Sequence, residues 1–313
     1  MLPIVSLFVA GLVLLFAGGH ALVRGSSRLA QLLGISPIII GLTVVAFGTS
    51  MPEFIVSLLA AIRGRTDVAL GNIVGSNISN IGLILGLSAL ARPIAVNLKL
   101  LKFEVPLVIV VSAYFWLICL NGDLGRVDGL TLSLGFVVYL WIVIAGARKN
   151  SSVLAKKYAT PRDKKKDFLV NLLWVVVGIT GLSFGADWTI TSAVEISRQF
   201  GVSELLLGLT AVAIGTSLPE LATSLVAALK NEGDISIGNI IGSNIFNMMA
   251  IAGPSALAHP LPVSASLSHM YLPVMLGLTL GLYPLIRTGR YLSRIEGGIL
   301  VVAYLSIMAW WTW

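Results

Sequence analysis

Two glutamates of this chain stand inside apolar stretches, at equivalent positions of two similar segments. Glu53 ends the motif "GTSMPE" and Glu220 ends "GTSLPE", and each surrounding stretch is long enough to cross a lipid bilayer. A threonine and a serine precede each acid by four and three residues, so hydroxyls and carboxylate share one face of a regular helix. Hard cations such as Ca²⁺ and Na⁺ prefer carboxylate and hydroxyl oxygens. The segments therefore predict cation binding by Glu53 and Glu220 together with Thr49, Ser50, Thr216 and Ser217.

Amide side chains follow in a second pair of segments, "GNIVGSNISN" at 71–80 and "GNIIGSNIFN" at 238–247. Each carries polar residues at every fourth position, which places them along one face of a helix. Lipid is a poor environment for such a face, so we expect both stripes to point toward the glutamates. For Asn72 and Asn239, hydrogen bonding between helices is an open alternative. The stripes consist of Asn72, Ser76 and Asn80, and of Asn239, Ser243 and Asn247.

The composition of this predicted site indicates which ions it suits. No histidine or cysteine recurs in both segments, which argues against zinc and copper. The two glutamates carry a formal charge of minus two, which one Ca²⁺ neutralises, as do two Na⁺. A third Na⁺ would need help from carbonyls and hydroxyls. Ca²⁺ and a full set of Na⁺ should therefore exclude each other.

Pro52 and Pro219 each stand directly before a glutamate and predict breaks in the helices that carry the acids. Proline lacks a backbone N–H and clashes with the preceding turn. We expect the helix at 37–62 to bend around residues 49–52 and to free backbone carbonyls, which are further ligands for hard cations. Loosened backbone at membrane depth is tolerated only where protein or a hydrated cavity satisfies it.

The overall composition indicates a polytopic membrane protein. Of the 313 residues, 57% are hydrophobic and 11% are charged, whereas soluble domains contain about 25% charged residues. Apolar runs of about 20 residues each predict a transmembrane helix. The first run lacks the basic start and cleavage pattern of a signal peptide, so we expect it to be retained. The runs predict an all-α protein of ten transmembrane helices, at 2–23, 37–62, 67–91, 103–120, 126–147, 168–190, 205–229, 234–258, 268–287 and 293–313.

The basic residues are distributed unequally between the predicted loops. All but four of the 21 lysines and arginines fall in one set of alternate loops, the exceptions being Arg63, Arg65, Arg126 and Arg198. The positive-inside rule places that set in the cytoplasm and both termini outside. Topology thus explains the net charge of +7, and no nucleic-acid partner is expected. The basic segment 148–167 is expected to be a solvated cytoplasmic linker.

The similar segments belong to an internal repeat. Both pairs are related by the same offset of 167 residues, without a gap. A unit of five helices enters the membrane in the opposite sense the second time, because five is odd. Inverted repeats with interrupted helices at matching positions are typical of secondary transporters, whose sites lie near the midplane. We predict a first five-helix repeat at 1–147, the linker at 148–167 and an inverted five-helix repeat at 168–313.

At these motifs the sequence resembles the cation/Ca²⁺ exchanger superfamily, and within it the Na⁺/Ca²⁺ exchanger branch of prokaryotic type. "GTSMPE" with "GNIVGSN", and "GTSLPE" with "GNIIGSN", are specific as a pair, and the resemblance covers essentially the whole chain. It implies a multi-pass antiporter of the plasma membrane that exchanges Na⁺ for Ca²⁺ by alternating access, without a cofactor. It also implies a ligand set: Thr49, Ser50, Glu53, Ser76, Asn80, Thr216, Ser217, Glu220, Ser243, Asn247, and the backbone carbonyls of Ala46 and Ala213.

Some features distinguish subtypes of this superfamily. An additional acid at the position of Asn247 is associated with K⁺ dependence, and here Asn80 and Asn247 are both amides. Proton-coupled relatives carry a glutamate where Gly75 and Gly242 stand. Coupling to protons or K⁺, or transport of another divalent cation, stays the alternative. The short linker leaves no room for the Ca²⁺-sensing domain of large eukaryotic members.

Two other functional classes, a cation channel and an intramembrane enzyme, fit the sequence less well. A cation channel also uses paired acids and unwound helices, but inverted halves fit alternating access better. An intramembrane enzyme needs a nucleophile with a base, and neither Ser50 nor Ser217 has a histidine in its repeated motif. A single self-contained site predicts that a monomer suffices for transport.

The glycine-rich first helices of the two halves suggest how access alternates. The helices at 2–23 and 168–190 contain "FAGGHALVRGSS" and "SFGADWTITSA", whose small residues permit close contact. We expect this pair to slide past a core of the second, third, seventh and eighth helices. If three Na⁺ exchange for one Ca²⁺, as the resemblance suggests, each cycle moves one net charge.

Overall fold

The computed structural model describes residues 2–98, 100–157, 164–199, 215–287 and 289–312. Helices dominate these ranges, and the strands within them are segments of two residues. The helices are α1 (Leu2–Leu33), α2 (Pro37–Thr49), α3 (Met51–Ile62), α4 (Thr66–Ala91), α5 (Leu100–Cys119), α6 (Arg126–Lys157), α7 (Lys164–Gln199), α8 (Leu218–Leu229), α9 (Gly233–Ala258), α10 (Leu267–Arg287) and α11 (Arg294–Thr312). The strands are β1 (Ile94–Ala95), β2 (Asp123–Leu124), β3 (Leu261–Pro262) and β4 (Tyr291–Leu292).

Many of these helices can cross a membrane. Within the described ranges, eight are long and apolar enough, and α2 with α3 makes a ninth span if this bent pair crosses as one. The shorter α8 has 12 residues, and the start of the predicted run 205–229 lies outside the described residues. The predicted polytopic helical architecture is confirmed, whereas the count of ten spans stays a prediction.

Several helix boundaries differ from the sequence prediction. α1 continues to Leu33, beyond the predicted end of the apolar run at residue 23. α6 continues to Lys157 and α7 begins at Lys164, so much of the predicted linker 148–167 is helical. Residues 148–157 contain neither glycine nor proline, and lysine, alanine and leucine among them favour a helix. Charge ends an apolar run without ending the helix.

The predicted break before Glu53 is present. Ser50 leaves the helical conformation, with φ −85° and ψ 9°, and the bend between α2 and α3 measures 50°. Pro52 falls in the first turn of α3, where its missing N–H would have no partner within the helix anyway. Ser217 has nearly the same conformation before α8, with φ −87° and ψ 4°. Each half therefore starts a new helix immediately before its glutamate.

The long helices α1 and α7 lie against each other in antiparallel orientation. A Cβ atom at Gly18 would come within 2.8 Å of the backbone nitrogen of Leu182, so this approach requires glycine. Small residues at such contacts let membrane helices pack closely without a hydrophobic driving force. The order of contacts runs in opposite directions along the two helices: Gly11 with Gly185, Gly18 with Leu182, and Gly25 with Val175.

The centre of the protein is formed by α4 and α9 with the ends of α2, α3 and α8. Of the apolar 18-residue stretch in each helix, 100% is buried in α9 and 78% in α4, compared with 17% in α11 and 22% in α6. Both central helices contain a π-helical stretch at matching positions, Asn80–Leu85 and Phe246–Ile251. Two small antiparallel sheets join the halves, because β1 pairs with β4 and β2 with β3.

Candidate cation site

Glu53 and Glu220 are both buried at the centre, each with 1% of its surface exposed. Each accepts a hydrogen bond from the serine of the opposite half: Ser50 Oγ donates to Glu220 Oε1 at 2.8 Å, and Ser217 Oγ donates to Glu53 Oε1 at 3.3 Å. The helix breaks at the two serines bring these groups together. The repeated motifs of the two halves predict this meeting of the acids.

The serines of the central helices extend the contacts. Ser50 Oγ lies 2.9 Å from Ser243 Oγ, and Ser217 Oγ lies 3.3 Å from Ser76 Oγ. A hydroxyl has one proton to donate and two lone pairs that accept. A serine that donates to a glutamate can therefore still accept from its neighbour, which leaves further lone pairs for a bound ion. All four hydroxyls are buried.

The threonines and the first asparagines of the stripes form a separate set of bonds. Thr49 Oγ1 donates to Asn239 Oδ1 at 3.0 Å, and Thr216 Oγ1 donates to Asn72 Oδ1 at 3.1 Å. The amide nitrogen of Asn72 donates to Ser57 Oγ, and that of Asn239 donates to Ser224 Oγ, both at 2.9 Å. Asn72 and Asn239 thus connect helices through hydrogen bonds, the alternative that the sequence left open for them.

Four buried carboxylate and amide oxygens of the centre have no hydrogen-bond partner among the described residues. They come in two equivalent pairs, Oε2 of the glutamates and Oδ1 of the last asparagine in each stripe. A buried acceptor without a partner costs about 1–3 kcal/mol, and more when it is charged. A cation held between them would offset that cost. The four atoms are Glu53 Oε2, Glu220 Oε2, Asn80 Oδ1 and Asn247 Oδ1.

Two further asparagines, which sequence analysis did not single out, hold these amides in place. Asn80 Nδ2 donates to Asn244 Oδ1 at 3.0 Å, and Asn247 Nδ2 donates to Asn77 Oδ1 at 3.3 Å. Asn77 and Asn244 themselves repeat at the offset of 167 residues, in "GSN". That repetition was a usable signal, but both residues fall off the stripe of every fourth position.

The sequence predicted that the helix breaks free backbone carbonyls as cation ligands, and the carbonyl of Ala46 is not freed in this way. The Ala46 carbonyl accepts the Ser50 N–H at 3.0 Å, so the helix break does not free it from the protein. Its counterpart Ala213 lies outside the described residues. In the described part of the chain, no group of three or more His, Cys, Asp or Glu side chains could hold a metal. The centre therefore offers two carboxylates and neutral oxygens, a set that suits hard cations.

The sequence of this chain matches a known protein family and several of its relatives. The family model described as "Sodium/calcium exchanger protein" matches residues 3–145 and 170–313. The chain is 30% identical to the sodium/calcium exchanger MaX1 of Methanosarcina acetivorans, with 96% of each chain covered. It is 40% identical to the inner membrane protein YrbG of Escherichia coli, with 83% of this chain and 81% of YrbG covered.

A solved structure agrees with these sequence relatives. The sodium-calcium exchanger NCX_Mj superposes with a TM-score of 0.86 at 31% identity, covering 99% of this chain and 98% of NCX_Mj. The similarity extends over both halves and over the two glutamate motifs. The chain belongs to the sodium/calcium exchanger protein family.

Proposed function

We propose that this protein is an antiporter that exchanges Na⁺ for Ca²⁺ at the site of Glu53 and Glu220. The observation that carries the proposal is the buried pair of carboxylates, each bonded to the serine of the opposite half. Burying two acids side by side is unfavourable unless a cation neutralises them. MaX1 and NCX_Mj are named as sodium/calcium exchangers, which supports the same ions for this chain.

Charge balance explains why the two ions exchange and do not bind together. One Ca²⁺ or two Na⁺ cancel the charge of the two glutamates. Adding Ca²⁺ to a site already filled with Na⁺ would leave excess positive charge in a region of low dielectric. The ligands that we propose are Thr49, Ser50, Glu53, Ser76, Asn80, Thr216, Ser217, Glu220, Ser243 and Asn247, with the carbonyls of Ala46 and Ala213.

Access alternates, in this proposal, between two inverted halves at 1–147 and 168–313. The antiparallel packing of α1 against α7 supports the inversion, because these are the first helices of the two halves. Their glycine contacts make them one unit that slides past the centre formed by α4 and α9. The termini lie outside, and the segment 148–167 lies in the cytoplasm, as the basic loops indicate. One chain holds the whole site, so a monomer suffices.

The decisive experiment is uptake of ⁴⁵Ca²⁺ into proteoliposomes, driven by an outward Na⁺ gradient at fixed pH. We expect uptake that depends on Na⁺ and is unchanged by removal of K⁺, because Asn80 and Asn247 add no third acid to the site. With three Na⁺ per Ca²⁺, each cycle moves one charge, and 100 mV contributes about 2.3 kcal/mol. Uptake should then respond to a valinomycin potential applied in a separate K⁺ series.

Other outcomes identify the alternatives. Uptake driven by a pH gradient without Na⁺ would indicate proton coupling, and a strict need for K⁺ would indicate the K⁺-dependent subtype. Uptake that ignores the Na⁺ gradient altogether would refute the proposal.

A further inference from the structure

We infer that Asn77 and Asn244 are positioning residues that fix which end of the Asn80 and Asn247 amides faces the bound cation. The inference rests on the proposed ion site and assigns a role to two residues that lie beside it. An asparagine amide has an oxygen that accepts and a nitrogen that donates. Only the oxygen can bind a cation, so an amide turned the wrong way would present N–H groups to the ion.

The first set of bonds begins at a backbone carbonyl, which can accept but never donate. Asn244 Nδ2 donates to the carbonyl oxygen of Asn77 at 3.3 Å, so the Asn244 nitrogen is committed to that contact. Asn244 Oδ1 is then the end that accepts Asn80 Nδ2 at 3.0 Å. Each amide nitrogen in this set is a donor, so Asn80 Oδ1 is the end of the amide that neither bond uses. That oxygen is buried and has no partner within the described ranges.

The second set of bonds has the same sequence of donors and acceptors, but its first acceptor is weaker. Asn77 Nδ2 donates to the sulfur of Met275 at 3.6 Å, and a thioether is a weak acceptor that cannot donate. Asn77 Oδ1 accepts Asn247 Nδ2 at 3.3 Å, which again leaves Asn247 Oδ1 buried without a partner in the described part of the chain. The Asn80 amide is therefore held more firmly than that of Asn247.

The arrangement crosses between the two halves of the protein. Asn80 belongs to α4 and is oriented by Asn244 of α9, while Asn247 of α9 is oriented by Asn77 of α4. All four side chains are at most 1% exposed, so water does not compete for these bonds. Each half thus sets the amide orientation of the other.

The test is a mutant cycle on Na⁺-driven ⁴⁵Ca²⁺ uptake, with the wild-type protein measured beside every variant. Asn244→Ala should raise the KM for Ca²⁺ about tenfold, the scale seen when a partner that orients a metal ligand is lost. It should raise KM no further when Asn80→Ala is already present, because it acts through Asn80. Combined with Asn247→Ala, its effect should multiply with the effect of that substitution, since the two belong to different sets of bonds.

The mirror cycle gives an independent test if Asn244→Ala does not yield folded protein. Asn77→Ala should raise the KM less than Asn244→Ala does and should add nothing to Asn247→Ala. A purely structural role would lower the amount of active protein, and hence the maximal rate, without changing the KM. An unchanged KM in a folded variant, or multiplying effects within one set of bonds, would overturn the inference. A wild-type protein without Na⁺-driven uptake would instead refute the proposed function.

Discussion

The contacts at the centre of this protein are duplicated by the internal repeat, whereas those at its edge, where α1 meets residues 230–232, are not. At the centre, the bond from Ser50 to Glu220 has a counterpart from Ser217 to Glu53, and the contacts of the threonines and the stripe serines are likewise duplicated. Both halves therefore supply the same groups to one site. In the proposed exchange, the site releases ions toward either side of the membrane, and equivalent halves suit that task.

At the edge, the first helix is held by residues whose types are not repeated at the equivalent positions of the other half. Ser27 Oγ of α1 donates to Glu232 Oε1 at 2.7 Å, and Lys230 Nζ donates to the His20 carbonyl at 3.3 Å. The comparison teaches that both halves contribute alike to the candidate cation site, whereas the contacts that hold α1 are particular to it. The residues at the equivalent positions, 167 away, are Val194, Arg65, Arg63 and Asp187.

The largest effect should come from the acids at the centre. Glu53→Gln and Glu220→Gln each keep the side-chain shape but halve the charge that neutralises Ca²⁺, so we expect exchange to fall at least about 100-fold, equivalent to about 2.7 kcal/mol. Initial rates of ⁴⁵Ca²⁺ uptake measure it. The exposed carboxylate Asp123 provides the control, since Asp123→Asn should leave uptake unchanged. Two glutamates of clearly unequal importance would break the equivalence of the halves.

The serines at the helix breaks sharpen the comparison within the centre. A hydrogen bond to a charged group contributes about 1.5–3 kcal/mol, so Ser50→Ala should raise the KM for Ca²⁺ by roughly tenfold or more. Ser217→Ala should have a smaller effect, because its bond to Glu53 is longer, 3.3 Å compared with 2.8 Å. Equal KM values for the two variants would show that the difference in length has no consequence for binding.

The next largest effect should come from the glycine contact between α1 and α7, and it should appear in the stability of the protein. Gly18→Ala places a methyl group 2.8 Å from the Leu182 backbone nitrogen, and such overpacking costs about 1–3 kcal/mol. Thermal unfolding in detergent should show a lower Tm. Gly277 of α10 is the matched control, because in the described part of the chain no atom beyond its sequence neighbours and the adjacent backbone of its own helix lies within 4 Å of a Cβ built there. Gly277→Ala should leave the Tm unchanged or raise it, and equal losses in both variants would contradict the close contact.

The smallest effect should come from the edge. Ser27→Ala removes one partly buried hydrogen bond to Glu232, and we expect a change of about threefold in the maximal exchange rate, with the KM for Ca²⁺ unaltered. The matched control is Ser26→Ala, the neighbouring serine of α1, whose buried hydroxyl has no hydrogen-bond partner among the described residues. An effect on the KM as large as that of Ser50→Ala would mean that edge and centre are not separable.

The geometry of the candidate cation site was largely predictable from the sequence, because both halves carry the same motifs. Glu53, Glu220 and their serines were predicted to meet, since intramembrane acids that recur after prolines have few stable places other than a shared cation site. The bend at Ser50 followed from Pro52. The hydroxyl and amide stripes were found through helical periodicity.

The remaining features depend on contacts that periodicity does not encode. Asn77 and Asn244 lie off the stripe and orient amides of the other half, so their role depends on how α4 and α9 pack. The end of α1 at Leu33 was missed because hydropathy marks lipid contact, whereas the helix continues through Arg24 and Arg28. The same reasoning explains why α6 runs into the predicted linker.

The central claim is that Na⁺ and Ca²⁺ compete for one site built on Glu53 and Glu220. Equilibrium binding of ⁴⁵Ca²⁺ to purified protein, measured over a range of Na⁺ concentrations, tests it most directly. We predict that the apparent Kd for Ca²⁺ rises with Na⁺ without reaching a plateau, with a logarithmic slope above one, and that Glu220→Gln abolishes high-affinity binding. A Kd that is independent of Na⁺, or that levels off while Ca²⁺ stays bound, would contradict a shared site.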